Sequence, residues 1–224
     1  MLKKNFFEKK GPFPLSEIAK TIGLVDHINL SDDFKIKSFE ALDEASNEDL
    51  TFLNSNKYHN LSSNTKASAC ITTTNLSKLL PIKCVKLEVK NVLYAVTQVA
   101  KMFYPDAEMD YPDNNLLPSE ELTNMYSQVS FGKNVLIGKN VKIGKFSNIS
   151  SNCIIESNVS IGENCIIGSF VTIRNSIIFN DVYVQDGSRI GTKGFGFIPN
   201  QEKNIRTPHV GKVILEEGVE IGAN

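Results

Sequence analysis

Residues 131–144 read FGKNVLIGKNVKIG, and within them a bulky apolar side chain returns at every sixth position, at Phe131, Ile137 and Ile143. The same register runs on through Ile149, Ile155, Ile161, Ile167 and Ile173. Two residues before each bulky position sits a smaller side chain: Val129, Val135, Val141, Ser147, Cys153, Val159, Cys165 and Val171. Glycine follows the bulky residue at Gly132, Gly138, Gly144, Gly162 and Gly168. A helix would space its apolar residues three and four apart, and no such spacing occurs here.

A six-residue period has a direct physical meaning. Side chains alternate along a strand, so two positions separated by two point to the same face. The chain must then turn a corner, for which glycine or asparagine tolerates the required backbone angles. Three sides close a coil of eighteen residues, and stacked coils place Ile137, Ile155 and Ile173 one above another. The spacing therefore predicts a parallel β-helix built from hexapeptides. Cys153 and Cys165 lie twelve residues apart, two sides and not a whole coil, and are read as small core fillers. The rhythm slips once, at Ile178, then resumes with Val182/Val184 and Ser188/Ile190. Residues 192–212, TKGFGFIPNQEKNIRTPHVGK, interrupt it before Val213/Leu215 and Val219/Ile221 re-enter. Insertions at solenoid corners become loops. Phe195 and Phe197 of this one either pack on the solenoid or a neighbouring subunit, or line a substrate cleft.

Upstream the hexad vanishes. PLSEIAKTIG sets Leu15, Ile18, Ala19 and Ile22 on one helical face, with Gly23 as its stop. Strand candidates follow in IKSFEAL, DLTFL, SACITT and CVKLEV. A helix is expected after Asn91 in VLYAVTQVAKMFY, with Leu93, Val96, Ala100 and Phe103 on its apolar side. The organisation expected is a small α/β domain over 1–105, a proline- and acid-rich linker over 106–124, and the hexad domain over 125–224 with its insert at 192–212.

The composition narrows the function classes. A formal net charge of -1 over 224 residues supplies no electrostatic draw toward nucleic acid or an anionic membrane. No apolar run approaches the roughly 18 residues of a membrane span. The start, MLKKNFFEKKGPF, has charge without a following apolar region and is not a secretory signal. Cys70, Cys84, Cys153 and Cys165 form no CxxC and no cluster with histidine, which points to reduced thiols, no metal site and a cytoplasmic location.

With the hexads in view, the stretches ALDEASNEDLTFLNSNKY (41–58), TKASACI (65–71), MFYP (102–105), RIGTKGFGF and HVGKVILEEGVEIGAN carry a resemblance. The sequence resembles UDP-3-O-acylglucosamine N-acyltransferase, an enzyme family of bacterial lipid A synthesis. The resemblance extends in order over nearly the whole chain. It implies a left-handed winding of the β-helix, a homotrimer with active sites between subunits, and an N-terminal domain that helps hold uridine. It also implies transfer of an (R)-3-hydroxyacyl group from acyl carrier protein to the 2-amine of UDP-3-O-acylglucosamine, with no metal or redox cofactor. The family's uracil pattern is a phenylalanine, an asparagine three on and a tyrosine three further. Phe52 and Tyr58 match it, while Ser55 occupies the middle position between Asn54 and Asn56. A serine hydroxyl cannot present an amide's paired donor and acceptor, so a neighbouring asparagine is the alternative reader. Relatives commonly carry Asp before GFGF where this chain has Lys193, a residue that either meets phosphate or stays solvated.

Such a reaction needs a base, because the amine is protonated at neutral pH, and a histidine is the expected group. His27, His59 and His209 all lie outside the hexads, so none is taken as catalytic. The resemblance instead puts the catalytic histidine in later coils, beyond Asn224, and makes this chain a C-terminally incomplete β-helix, inactive alone. The alternative is a catalytically incomplete, trimeric nucleotide-sugar-binding module. A third possibility is another hexapeptide transferase acting on a hydroxyl.

Overall fold

A computed structural model describes residues 6–24, 34–199 and 204–224. The chain divides into two units, one gathering Phe6 with residues 109–194 and 210–224, the other Phe7–Glu108 with Phe195–His209.

In the first unit the strands are two or three residues long and enter three sheets in strict rotation. Ser130–Phe131, Asn148–Ile149, Ile166–Ile167, Tyr183–Val184 and Glu220–Ile221 make one sheet. Leu136–Ile137, Ile154–Ile155, Thr172–Ile173 and Arg189–Ile190 make the second, and Lys142–Ile143, Ser160–Ile161, Ser176–Ile178 and Val213–Leu215 the third. All of these pairings are parallel. Ile155 pairs with Ile137 on one side and Ile173 on the other, the eighteen-residue return expected from the hexads. From Ile161 to Ile178 the return is seventeen, because Arg174 and Asn175 alone turn the corner before Ser176.

The core of this unit is the hexad itself: Val135, Ile137, Ile149, Cys153, Ile155, Val159, Cys165, Ile167, Val171 and Ile173 are all buried. Both cysteines are free and buried, as small fillers should be. Buried Ser147 stands at the same inward position and is satisfied, donating to the Gly162 carbonyl at 2.8 Å and accepting the Cys165 N–H at 3.0 Å.

Of the two residue types expected at the corners, asparagine takes the bend and the hexad glycines do not. The left-handed residue is the asparagine before each small core position, with φ between 56° and 68° at Asn134, Asn140, Asn152, Asn158 and Asn164. The hexad glycines have ordinary φ and answer a different need. A Cβ on Gly138 would run into the backbone of Ser157, and one on Gly144 into that of Gly162 and Glu163. Glycine thus serves close approach between successive circuits, while asparagine makes the bend. At two corners the bend falls on phenylalanine, Phe146 at φ 62° and Phe170 at φ 60°, both exposed.

Residues 109–118 are bound to these sheets. The Asp113 carboxylate accepts the Ser157 N–H at 2.7 Å, and Leu117–Pro118 pairs antiparallel to Leu136–Ile137. Asp110 lies 3.4 Å from the Arg174 guanidinium, which also meets Glu156 at 2.5 Å, and accepts the Lys193 N–H at 3.1 Å.

The second unit holds a four-stranded, all-parallel sheet, Ser38–Phe39, Asp49–Phe52, Ala69–Thr72 and Val85–Glu88 in that order. Helices Leu15–Thr21 and Val92–Phe103 contribute Leu15, Ile18, Val92, Ala95, Val99 and Phe103 to the core on one face. A smaller cluster of Leu42, Leu53, Cys70, Leu80 and Cys84 forms a second core. The first helix stops at Gly23, whose φ of 82° is the left-handed stop expected. The second starts at Asn91, whose side chain accepts the Tyr94 N–H at 3.0 Å. Of the expected side, Ala100 and Phe103 are buried and Val96 packs against the core, but Leu93 is exposed, and Val92, Ala95, Thr97 and Val99 are buried as well. Two apolar arcs overlap on this helix, and the sheet covers the one rich in small and β-branched side chains.

Within the insert, Phe197–Ile198 and Ile205–Arg206 pair antiparallel. Residues 195–209 cluster with the Phe7–Glu108 unit, where the His209 N–H donates to Ala107 at 3.1 Å and the hydroxyls of Thr97 and Thr207 lie 3.3 Å apart.

Candidate functional site

In a parallel α/β sheet, loops leaving the carboxyl ends of the strands are free of the ladder and form the usual place for a ligand. Phe52 is the last residue of the strand Asp49–Phe52, and Ser55 and Tyr58 follow in the loop beyond it. The strand length fixes this placement. After Leu53 donates to Ile71 at 2.9 Å and accepts the buried Thr72 hydroxyl at 3.1 Å, the chain leaves the sheet.

Phe52 is half-buried and its ring lies 5.9 Å from that of Phe39, tilted by 36°. Ser55 is extended, with φ -150°, and caps the single turn Asn56–Tyr58, its hydroxyl oxygen accepting the Lys57 N–H at 3.3 Å. That role explains a serine at this position: a short side chain with a free lone pair holds the turn that carries Tyr58. Tyr58 closes the turn with 51% of its surface exposed. Asn54 and Asn56 are exposed on either side of Ser55. Phe52 thus ends the strand, and Ser55 and Tyr58 stand in the loop beyond it. Among the described residues Phe52 packs on Phe39 and makes no ring contact with Tyr58.

The same edge holds a feature that sequence reasoning missed. A cleft of about 360 Å³ opens at the ends of the strands Ala69–Thr72 and Val85–Glu88, lined by Thr73, Thr74, Asn75, Glu88, Val89 and Lys90. Hydrogen bonds from the Ser77 and Thr74 hydroxyls hold the Glu88 carboxyl below its usual value. The rule of carboxyl-end loops could have found these residues once the strands SACITT and CVKLEV were read as parallel neighbours.

His59 is exposed, with Nδ1 3.4 Å from the Asn60 side chain, and His209 is half-buried beside Gly196. His27 lies outside the described residues. Lys193 presents its N–H to Asp110. In the insert, the Phe195 and Phe197 rings meet edge to face at 4.8 Å, and the Arg206 guanidinium sits 4.9 Å from the Phe197 ring. Burial pushes all four cysteine thiols up, Cys84 to about 11, so none is a thiolate nucleophile at neutral pH. Among the described residues no group of three or more metal-ligating side chains occurs, and no helix is long and apolar enough to cross a membrane.

Comparison with known proteins agrees in both units. Residues 33–102 match the family model described as UDP-3-O-(3-hydroxymyristoyl) glucosamine N-acyltransferase, LpxD. Residues 146–222 match the model of the GMPPB C-terminal domain. The chain is 37% identical over 222 residues to UDP-3-O-acylglucosamine N-acyltransferase 2 of Legionella pneumophila (strain Paris), covering 98% of this chain and 64% of that protein. It is 32% identical to the UDP-3-O-acylglucosamine N-acyltransferases of Granulibacter bethesdensis, over 98% of this chain and 64% of that one, and of Rickettsia bellii, over 100% and 66%. The chain thus spans 64 to 66% of the length of these curated relatives.

Proposed function

This chain is a relative, over its whole length, of the UDP-3-O-acylglucosamine N-acyltransferases, and on that premise we propose that it is the acceptor-binding part of such an enzyme. The single observation that carries the reading is that the relationship covers both units, the parallel sheet with its Phe52–Tyr58 loop and the rotated hexad sheets alike. The hexads wind as a left-handed β-helix, and three copies assemble with their sites between subunits. The protein works in the cytoplasm.

The acceptor is UDP-3-O-acylglucosamine. Tyr58 offers an exposed aromatic face to the uracil and Phe52 the edge of a half-buried one. Ser55, whose oxygen already caps the turn, leaves base reading to Asn54 or Asn56, whose amides pair a donor with an acceptor. The donor is an (R)-3-hydroxyacyl thioester of acyl carrier protein. The 2-amine attacks the thioester carbonyl, a C–N bond forms, the C–S bond breaks, and the thiol leaves with the proton the amine gives up. A histidine takes that proton and a backbone N–H stabilises the oxyanion. None of His27, His59 and His209 stands in a hexad, so on this reading none of them is the base and the chain by itself binds acceptor without turning it over. That same fact favours the second reading, a trimeric nucleotide-sugar-binding module with no transfer activity.

Calorimetric titration of the full chain with UDP-N-acetylglucosamine tests the acceptor site. Base–aromatic stacking predicts that Tyr58→Ala weakens binding about tenfold or more. Absence of binding, or binding indifferent to Tyr58→Ala and Phe52→Ala, overturns the site. An acyl-transfer assay with an acyl carrier protein thioester and UDP-3-O-acylglucosamine separates the enzyme from the binding module.

A further inference from the structure

At the first circuit of the hexad unit the core is incompletely closed. A cavity of about 490 Å³ lies between the capping stretch 115–126 and residues 137–141. Its floor is buried Tyr126, Ile137 and Val141, and its wall carries Leu117 and Met125, which are 45% and 70% exposed. Large apolar side chains exposed together around a concavity mark a binding surface. The floor is mostly apolar: the Tyr126 hydroxyl donates its proton to the Val141 carbonyl at 2.9 Å, and the polar side chains of the lining are otherwise those of Asn115, Lys139 and Asn140. Against buried Ile137 and Val141 a base, a sugar or a peptide backbone would leave polar groups unpaired. An alkyl chain would not, and methionine adapts its shape to such a guest.

The mouth adds a charge. Lys139 lines it and has no carboxylate partner among the described residues. The neighbouring Asp113 carboxylate is turned to the N–H groups of Ser157 and Asn115 at 2.7 and 2.9 Å. An apolar cavity of this size with one unpaired cation at its rim complements one ligand chemistry. We propose that it binds a single-chain acyl anion, the tail against Ile137, Val141 and Met125 and the carboxylate at Lys139. The site lies in the hexad unit, and the proposal stands whether or not the acceptor reading at Tyr58 holds.

Titration of the full chain with octanoate, decanoate and dodecanoate, below their micelle concentrations, tests it. One site per chain is expected, with binding about fourfold tighter for each added methylene until the cavity is full. Lys139→Glu, an exposed change that leaves the core intact, weakens decanoate at least tenfold, and decanol binds at least tenfold more weakly than decanoate. Met125→Trp fills the cavity and abolishes binding while the circular dichroism melt stays unchanged. The proposal is overturned by absence of binding, by affinity independent of chain length, or by affinity indifferent to Lys139→Glu and decanol. Co-sedimentation with phosphatidylglycerol vesicles without binding of the free acids would overturn it in favour of a lipid surface. Binding that appears only when the oligomer is dissociated would overturn it in favour of a second copy of the chain.

Discussion

In the hexad unit Ile166 and Ile167 are neighbours in sequence and opposite in environment, the first exposed and the second fully buried. In the N-terminal sheet the strand Ala69–Thr72 is buried at all four positions. The difference lies in what covers each sheet. A rotated sheet has an inner face and an outer face, so its side chains sort by parity. The N-terminal sheet has two core clusters, and along Ala69–Thr72 parity sends Ala69 and Ile71 to one and Cys70 to the other, so it no longer separates buried from exposed. One region is specified by period, the other by the helices and loops around it.

The largest expected effect comes from the tightest element of the periodic region. Gly144→Ala drives a Cβ into the backbone of the next circuit and is expected to cost about 4 kcal/mol or more, enough to abolish a cooperative urea transition. A variant that melts like the parent would break the account of close approach. Next, Ile167→Ala should cost about 2–5 kcal/mol by denaturant unfolding, whereas Ile166→Ala stays within about 0.5 kcal/mol. Equal costs would erase the parity argument. Phe170→Asn should stabilise by about 1 kcal/mol, because it relieves a left-handed phenylalanine and extends the ladder in which Asn134 donates to Asn152 at 3.2 Å. No gain in melting temperature would mean that the exposed ring at Phe170 is held by something else.

The smallest effect is electrostatic. Burial pushes Glu156 above the ordinary carboxylate range, Arg174 opposes that shift, and Asp113 and Asp110 reinforce it. The folded state therefore holds this proton more tightly than the unfolded chain does. The stability this contributes is full below the unfolded pKa and is lost as pH rises through the folded one. Melting temperatures followed across the carboxylate range and just above it should fall slightly in the parent and lack that component in Glu156→Gln. A steeper fall in the variant would mean that Arg174 outweighs burial and would reverse the direction of the shift at Glu156.

This contrast also explains what was legible in advance. The hexad core could be read residue by residue, because a fixed period leaves one way to bury Ile137, Ile155 and Ile173 together. The four strands of the other sheet were visible as short strand candidates, but neither their parallel order nor the Thr73–Lys90 cleft could be read from composition. Leu93 was misplaced because its helix has two overlapping apolar arcs, and only the partner sheet selects between them. The corner glycines were legible as necessary and misread in cause, since a missing Cβ serves both bending and close approach. The Phe52–Tyr58 loop was found through its motif, whereas Ser55 as a turn cap is a local hydrogen bond that spacing does not report.

The rotation of strands through three sheets has a consequence for how such a chain can change in length. A whole circuit of eighteen residues can enter or leave while every other strand keeps its neighbours. Six residues would send each later strand to the wrong sheet, and one residue in a strand would turn its core outward. Only a corner can absorb a single deletion, as the seventeen-residue return through Arg174 and Asn175 does, and only a corner can host a long excursion such as 192–212. The length changes that this unit can absorb are therefore quantised, with the corners as the places where fractions are permitted.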